Sequence, residues 1–224
     1  MRKIIAVSFT FLLLACAIYS VVFFSKIVTT EYALYNALEK LDISSEVTSR
    51  RQKYALFKEA VLELEASPNM AANAVRRYQL KAKLYYFLSN LEVWPVKREQ
   101  YLKQAIYNNY NAININHYAL QPWLLELQMQ YQVDSEHTDF FWSLANVLNL
   151  GKWDHEVLTY ASFYCVLKWK KMPSTLKQPC SNALQNVSKN ETRKKKLYSQ
   201  LSGIYRFEDI VNEIIGETSE EVVQ

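Results

Sequence analysis

The chain opens with twenty-one consecutive residues, Ile4 to Phe24, that carry no charge. A helix of that length covers about 30 Å, the thickness of a bilayer's hydrocarbon core. Beyond it, apolar positions recur with helical spacing almost everywhere. Tyr54, Phe57, Val61 and Leu64 form one stripe, and Ala71, Ala74, Val75, Tyr78, Ala82 and Tyr85 a second. Phe140, Leu144, Val147 and Leu148 make another, as do Val157, Tyr160, Ala161 and Tyr164. No stretch alternates strictly for long enough to predict a sheet. The pattern predicts an all-α protein: one N-terminal transmembrane helix followed by antiparallel helical pairs.

Turn-forming and capping residues divide the body. Ser67-Pro68 reads as an N-cap with proline at the first helical position, where its missing N–H costs nothing, and Pro95 and Pro122 can open helices in the same way. Asp134-Ser135-Glu136 offers a cap and a carboxylate to a helix start. Gly151 stops one helix and Asp154 caps the next. Helices are expected over 30–41, 45–66, 69–91, 96–108, 118–131, 136–149, 155–171, 175–188, 191–203 and 206–215. The organisation is then an anchor (1–27), a helical body (28–215) and a flexible polar tail (216–224). Ala105–Asn111 and Val147–Trp153 both read as a closing helix running into its turn, which points to a degenerate tetratricopeptide-like solenoid, with an irregular bundle as the alternative.

The uncharged run has three competing readings. A cleaved signal has a shorter apolar region and a small-x-small exit, whereas this run ends in Val21-Val22-Phe23-Phe24-Ser25-Lys26. Leu13-Leu14-Ala15-Cys16 approximates a lipobox, yet eight more largely apolar residues follow Cys16. Length favours a retained helix. Arg2 and Lys3 favour an N-inside orientation with the body outside, against the weaker opposing pull of Lys26, Lys40, Arg50 and Arg51.

Setting Arg2, Lys3 and Lys26 aside from the 26 basic residues leaves 23 in the body against 22 acidic ones. So balanced a body lacks the concentrated positive field that nucleic acid requires. The one dense basic run, Arg193-Lys194-Lys195-Lys196, reads as a solvated helix face, with anionic headgroups or an acidic polymer as the alternative. Three glycines in 224 residues do not furnish Rossmann or phosphate-loop architectures.

Asp139-Phe140-Phe141, then Leu148-Asn149-Leu150-Gly151-Lys152-Trp153, then Trp169 after a helix, resembles the VpsP family of bacterial exopolysaccharide-biosynthesis proteins. The resemblance covers roughly the last 120 residues. It implies an inner-membrane anchor with a helical periplasmic body, partners among the proteins of a polysaccharide assembly or export machine, and the polysaccharide itself as a further candidate. It brings no catalytic residues to positions here.

Cys165 and Cys180 lie eight residues before and seven after Pro173. A reversal near Pro173 brings them opposite each other, and an oxidising compartment would then join them. Two buried thiols are the alternative, and Pro179 could begin the second helix instead, leaving 172–178 extended. Cys16 reads as a small apolar residue of the anchor.

His117, His137 and His155 share no metal-binding spacing, and Asp134, Glu136, His137 and Asp139 read as helix-start capping before acid–base chemistry. No catalytic, cofactor or metal site is expected, so the function is read as binding, with an enzyme or glycan-binding module acting on the polymer as the alternative. The aromatics, 16 Tyr, 10 Phe and 5 Trp, read mainly as core. Tyr110, Trp123 and Tyr131 are the candidates for an exposed groove, better suited to a partner helix or peptide than to a sugar.

Overall fold

The computed structural model describes residues 2–68, 70–134 and 138–221. Among them there are ten α-helices, two short 3₁₀ turns and no strand: α1 (Arg2–Glu46), α2 (Arg50–Ala66), α3 (Ala74–Leu91), α4 (Pro95–Ile115), α5 (Leu120–Asp134), α6 (Thr138–Leu150), α7 (His155–Lys168), α8 (Ser174–Ser188), α9 (Glu191–Leu201) and α10 (Phe207–Glu221). The protein is all-α. Its chain divides into two compact units, Met1–Ile115 and Asn116–Gln224.

Unit 1 begins with α1, whose 45 residues span the uncharged run and the expected helix over 30–41 without a break. It is long and apolar enough to cross a membrane, and in its described part that apolar stretch is almost wholly exposed. From Thr30 onward the same helix changes character. Thr30, Ala33, Leu34, Ala37 and Ser44 are buried on one face, packed with Phe57, Ala60, Val61 and Leu64 of α2. Alanines on both helices let the backbones approach closely. Lys40 bridges the pair, donating to Glu63 at 2.5 Å and standing 3.2 Å from Glu59. Burial opposes its charge, but the bonds to Glu63 and Glu59 outweigh that and hold its pKa above the usual value.

The end of α2 corrects one sequence reading. Ser67 does not cap a following helix; its hydroxyl donates to the Leu64 carbonyl and its N–H to the Glu63 carbonyl, closing α2. Pro68 lies in the connector, and its carbonyl accepts from Thr30 Oγ1 (3.1 Å) and from Arg77. The buried Arg77 also donates to the Leu64 carbonyl at 2.5 Å, so a cation sits on the negative end of α2. Satisfying these carbonyls from α1 and α3 removes the need for a local cap, and α3 starts later, at Ala74.

Pro95 does open α4, as its fixed φ and missing N–H favour. Just before it, the Glu92 carboxylate accepts from the Val93 and Trp94 N–H groups at 2.9 and 3.2 Å and from the Tyr54 hydroxyl. The Trp94 bond, with help from Tyr54, holds the Glu92 carboxyl below its ordinary pKa. The α4 helix then runs to Ile115, well past 108. Ala105–Asn111 therefore contains no turn, and the expected repeat boundary there is absent. Asn108 and Asn109 are buried within the helix, Asn108 donating back to the Gln104 carbonyl, while Ala112 and Ile113 continue the core face.

In unit 2, α6 packs on α5, α7 and α8, α7 on α8 and α9, and α8 on α9 and α10, with α10 reaching back to α7 as well. Gly151 follows α6 as the sequence predicts, but not in a left-handed conformation. A Cβ there would stand 2.3 Å from Val157 Cγ1 and 2.8 Å from the Val147 carbonyl oxygen, so this glycine permits close approach of α7. Asp154 caps α7 by accepting from the Glu156 and Val157 N–H groups. Leu197 and Leu201 of α9 are buried and the basic run faces outward, with Lys196 paired to Glu156. Past Arg206, in the left-handed region at φ 57°, α10 carries on through Gly216 to Glu221.

Between α7 and α8 the chain turns through Trp169–Pro173, and Cys165 and Cys180 form a disulfide, sulfur to sulfur 2.08 Å with Cα atoms 5.6 Å apart. Pro179 does not begin α8; the helix starts at Ser174, and Pro179 sits inside it at the cost of one backbone hydrogen bond. That early start sets Cys180 opposite Cys165.

Two outcomes test this arrangement. Cys165→Ser should lower the stability of unit 2 by roughly 2–4 kcal/mol in chemical denaturation, and an unchanged midpoint would show that packing alone holds α7 to α8. In unit 1, burial raises the pKa of Tyr54, helped by its bonds to Tyr101 and Glu92, and of Tyr85, helped by Glu65. Since the unfolded chain releases these protons first, the stability they lend is whole below the ordinary tyrosine value of 10.0 and drains as pH climbs toward the raised folded values. Tyrosinate absorbance should therefore titrate in two waves, the later coinciding with loss of helix signal. Replacing both Tyr54 and Tyr85 by Phe should shrink the later wave without abolishing it, because burial also raises the pKa of Tyr86, and a single wave at the free-tyrosine value in folded wild-type protein would contradict the reading.

Candidate binding groove

On unit 2, α6 and α8 border an open groove of about 420 Å³. Its floor is apolar, formed by Leu148, Leu158, Leu176 and Ala183, and its rim carries the amides of Asn149, Asn182 and Asn186 with the Lys152 ammonium. The sequence places these groups by helical spacing. Asn182 and Asn186 are one turn apart on α8, and Ala145 and Asn149 one turn apart on α6, so each pair faces the same way. Gln178 extends the α8 row, donating to the Asn182 amide oxygen at 3.0 Å. Behind the rim, the buried Cys165–Cys180 disulfide ties α8 to α7 directly beside Pro179, which lies on the groove's lip.

Two tryptophans extend this face. Trp142 precedes Ala145 by three residues on the same side of α6 and is 61% exposed, its ring edge-on to Trp123 at 4.6 Å. Trp153 follows Lys152 and is 82% exposed, with the Lys152 ammonium 5.7 Å from its ring centre. Exposed indoles beside amide groups bind flat apolar faces and hydrogen-bonding edges together. That combination suits an extended peptide or the rings of a glycan.

The three residues singled out from sequence are distributed differently. Trp123 is 2% exposed, its indole N–H donating to the His117 carbonyl at 2.8 Å. It is a core residue supporting Trp142, since its face of α5 packs on α6 and the exposed partner of that contact is Trp142. Tyr131, eight residues further along α5, is partly exposed and packs edge-on against Tyr164 at 5.2 Å, with Lys168 over its ring. Tyr110 is exposed on α4, in unit 1. Trp123 and Tyr131 thus share a helix without sharing a surface groove. Sequence reading did not single out Asn149, Asn182 and Asn186 for a groove and took Trp142, with the other tryptophans, mainly as core, though the 142–145–149 and 182–186 spacings were available to it.

The tryptophans as a group depart from the core reading. Trp123 and Trp169 are buried, but Trp94, Trp142 and Trp153 are exposed. As for chemistry, Asp139 is exposed in the first turn of α6, where Ser143 donates to its carbonyl. Ser135, Glu136 and His137 lie outside the described residues. Among the described residues no three His, Cys, Asp or Glu side chains are grouped as metal ligands. The groove lining holds amides and one ammonium, groups that recognise by hydrogen bonding and charge. The chain matches no family model, no curated protein and no solved structure.

Iodide in the aqueous phase should quench Trp94, Trp142 and Trp153 and spare Trp123 and Trp169. Trp142→Ala should reduce the quenchable fraction with a stability loss of about 0.5–1.5 kcal/mol from the lost ring contact. Trp123→Ala should cost about 3–5 kcal/mol by opening a cavity. Equal effects of the two substitutions would show that Trp142 is not a surface residue.

Proposed function

We propose that the chain is a membrane-anchored binding protein. In this reading α1 crosses the membrane once with Arg2 and Lys3 inside, and the helical body lies in an oxidising extracytoplasmic compartment. The α6–α8 groove holds an extended segment of a partner protein. The observation that carries the reading is the groove's composition, an apolar floor between a row of amides on α8 and the single amide of Asn149 on α6, flanked by exposed indoles. Amide rows can pair with both the N–H and C=O groups of an extended backbone while the floor takes alternate side chains. The Cys165–Cys180 disulfide beside the groove supports the oxidising compartment.

The resemblance to the VpsP family directs the search for that partner to exopolysaccharide biosynthesis and export, where the protein would act as a scaffold for other envelope components. Anchoring raises the local concentration of the groove at the membrane, which is what a scaffold of membrane proteins needs. A second reading, a module that binds the polysaccharide itself, is favoured by the exposed Trp142 and Trp153, because indole faces also stack on sugar rings.

A photo-crosslinking amino acid at Asn182 in intact native cells separates these. Crosslinks to a polymerase or exporter component are expected, and they should fall when Asn149 and Asn186 are both replaced by Ala. Crosslinks confined to polysaccharide would establish the second reading. Purified body that alone cleaved or modified the polymer would overturn both in favour of an enzyme.

A further inference from the structure

The continuity of α1 fixes which part of unit 1 meets the membrane. The uncharged run ends at Phe24, and Thr30 follows six residues later, about 9 Å further along a helix. The headgroup layer on each side of a bilayer is roughly 5–8 Å thick, so Thr30 stands at its outer edge. Three contacts tie the α2–α3 connector to this level of α1. Thr30 donates to the Pro68 carbonyl at 3.1 Å, the Asn73 amide donates to Glu31 at 2.6 Å, and Arg76 stands 3.9 Å from Glu31.

The same level is reached by the end of α4. Its connection to α3 is only the segment Glu92–Trp94, so the two helices run antiparallel, and the rings of Tyr85 and Tyr101 meet at 6.2 Å. Stepping back from Tyr85 to Ala74 and forward by the same count from Tyr101 brings α4 to Ala112. Ile115, 51% exposed, therefore ends α4 beside the connector. This end of unit 1 presents the half-buried Met70 and the exposed Ala71 and Ile115, with Arg76 paired to Glu31 beside them and the exposed Lys26 one turn before Thr30 on α1. Small apolar groups with Lys and Arg at the same end are the chemistry that seats in a headgroup layer, with side chains dipping toward the acyl boundary and cations on phosphates. The opposite end, at Glu46–Arg50 and Leu91–Trp94, stands about 24 Å further along α1.

We infer that the α2–α3 connector, with the end of α4 beside it, seats unit 1 on the phospholipid headgroups of the membrane that α1 crosses. This rests on the anchor reading above. The seat braces α1 where it leaves the bilayer.

Full-length protein in vesicles, carrying an environment-sensitive fluorophore at one cysteine, tests it. The three labelled forms are native Cys16, Ala71→Cys on a Cys16→Ser background, and Val93→Cys on the same background. The label on Cys16 should be quenched by nitroxides on the acyl chains. The label on Ala71→Cys should shift to the blue and lose emission to nitroxides on the headgroups, while the label on Val93→Cys stays unaffected. Quenching at Cys16 with none at Ala71→Cys would overturn the seat and leave the anchor standing, and equal quenching at Ala71→Cys and Val93→Cys would overturn the end-on geometry. No acyl-chain quenching at Cys16 would overturn the anchor and the seat with it.

Discussion

The seam between α1 and α2 is the contact on which unit 1 depends. Leu34, Ala37, Ala60 and Leu64 are fully buried along it, and each buried leucine contributes about 1.5–3 kcal/mol relative to exposure. The alanines matter by being small, since they set the separation at which Lys40 can reach both Glu59 and Glu63. Because α1 is unbroken, this seam also determines where the uncharged stretch stands relative to the rest of the unit. A helix that packed only through its N-terminal part, or that broke at Lys26, would leave the body free to swing.

The connector between α2 and α3 shows how such a seam propagates. The last carbonyls of α2 and the carbonyl of Pro68 need donors, and they receive them from Ser67, Thr30 and the buried Arg77. Burial lowers the pKa of Arg77, yet its placement on the negative end of a helix offsets part of that cost. One side chain from each flanking helix thereby holds the turn. At the far end of the unit, Tyr54, Tyr101 and Glu92 form the corresponding link between α2, the α3–α4 connector and α4.

Unit 2 is assembled by different means. Its turns are tight, so one glycine and one disulfide carry much of the geometry: Gly151 lets Val157 approach the end of α6, and Cys165–Cys180 holds α7 to α8. These are the elements that frame the groove. Its apolar floor comes from α6, α7 and α8 together, whereas its amide rim comes from exposed helix positions that make no contribution to the core. Separation of floor from rim is what leaves asparagine and indole available to a ligand.

Local chemistry in the sequence determined the all-α class, most helix boundaries, the cap at Asp154, the stop at Gly151, the helix start at Pro95 and the pairing of Cys165 with Cys180. Each depends on spacings of a few residues or on one reversal of the chain, which is the range over which helical periodicity and capping act. Only the tertiary structure decided the rest. Ser67 and Pro68 read locally as a helix start, but Thr30 and Arg77 supply the donors that make them an end. The residues after Asn108 read as a turn, but burial against α3 keeps α4 helical to Ile115. Trp123 and Trp142 carry the same side chain and exchange the expected roles of surface and core, because exposure is set by which neighbours arrive from other helices. The groove follows for the same reason: Asn149 and Asn182 are far apart in the chain, and packing of α6 on α8 brings them to one surface.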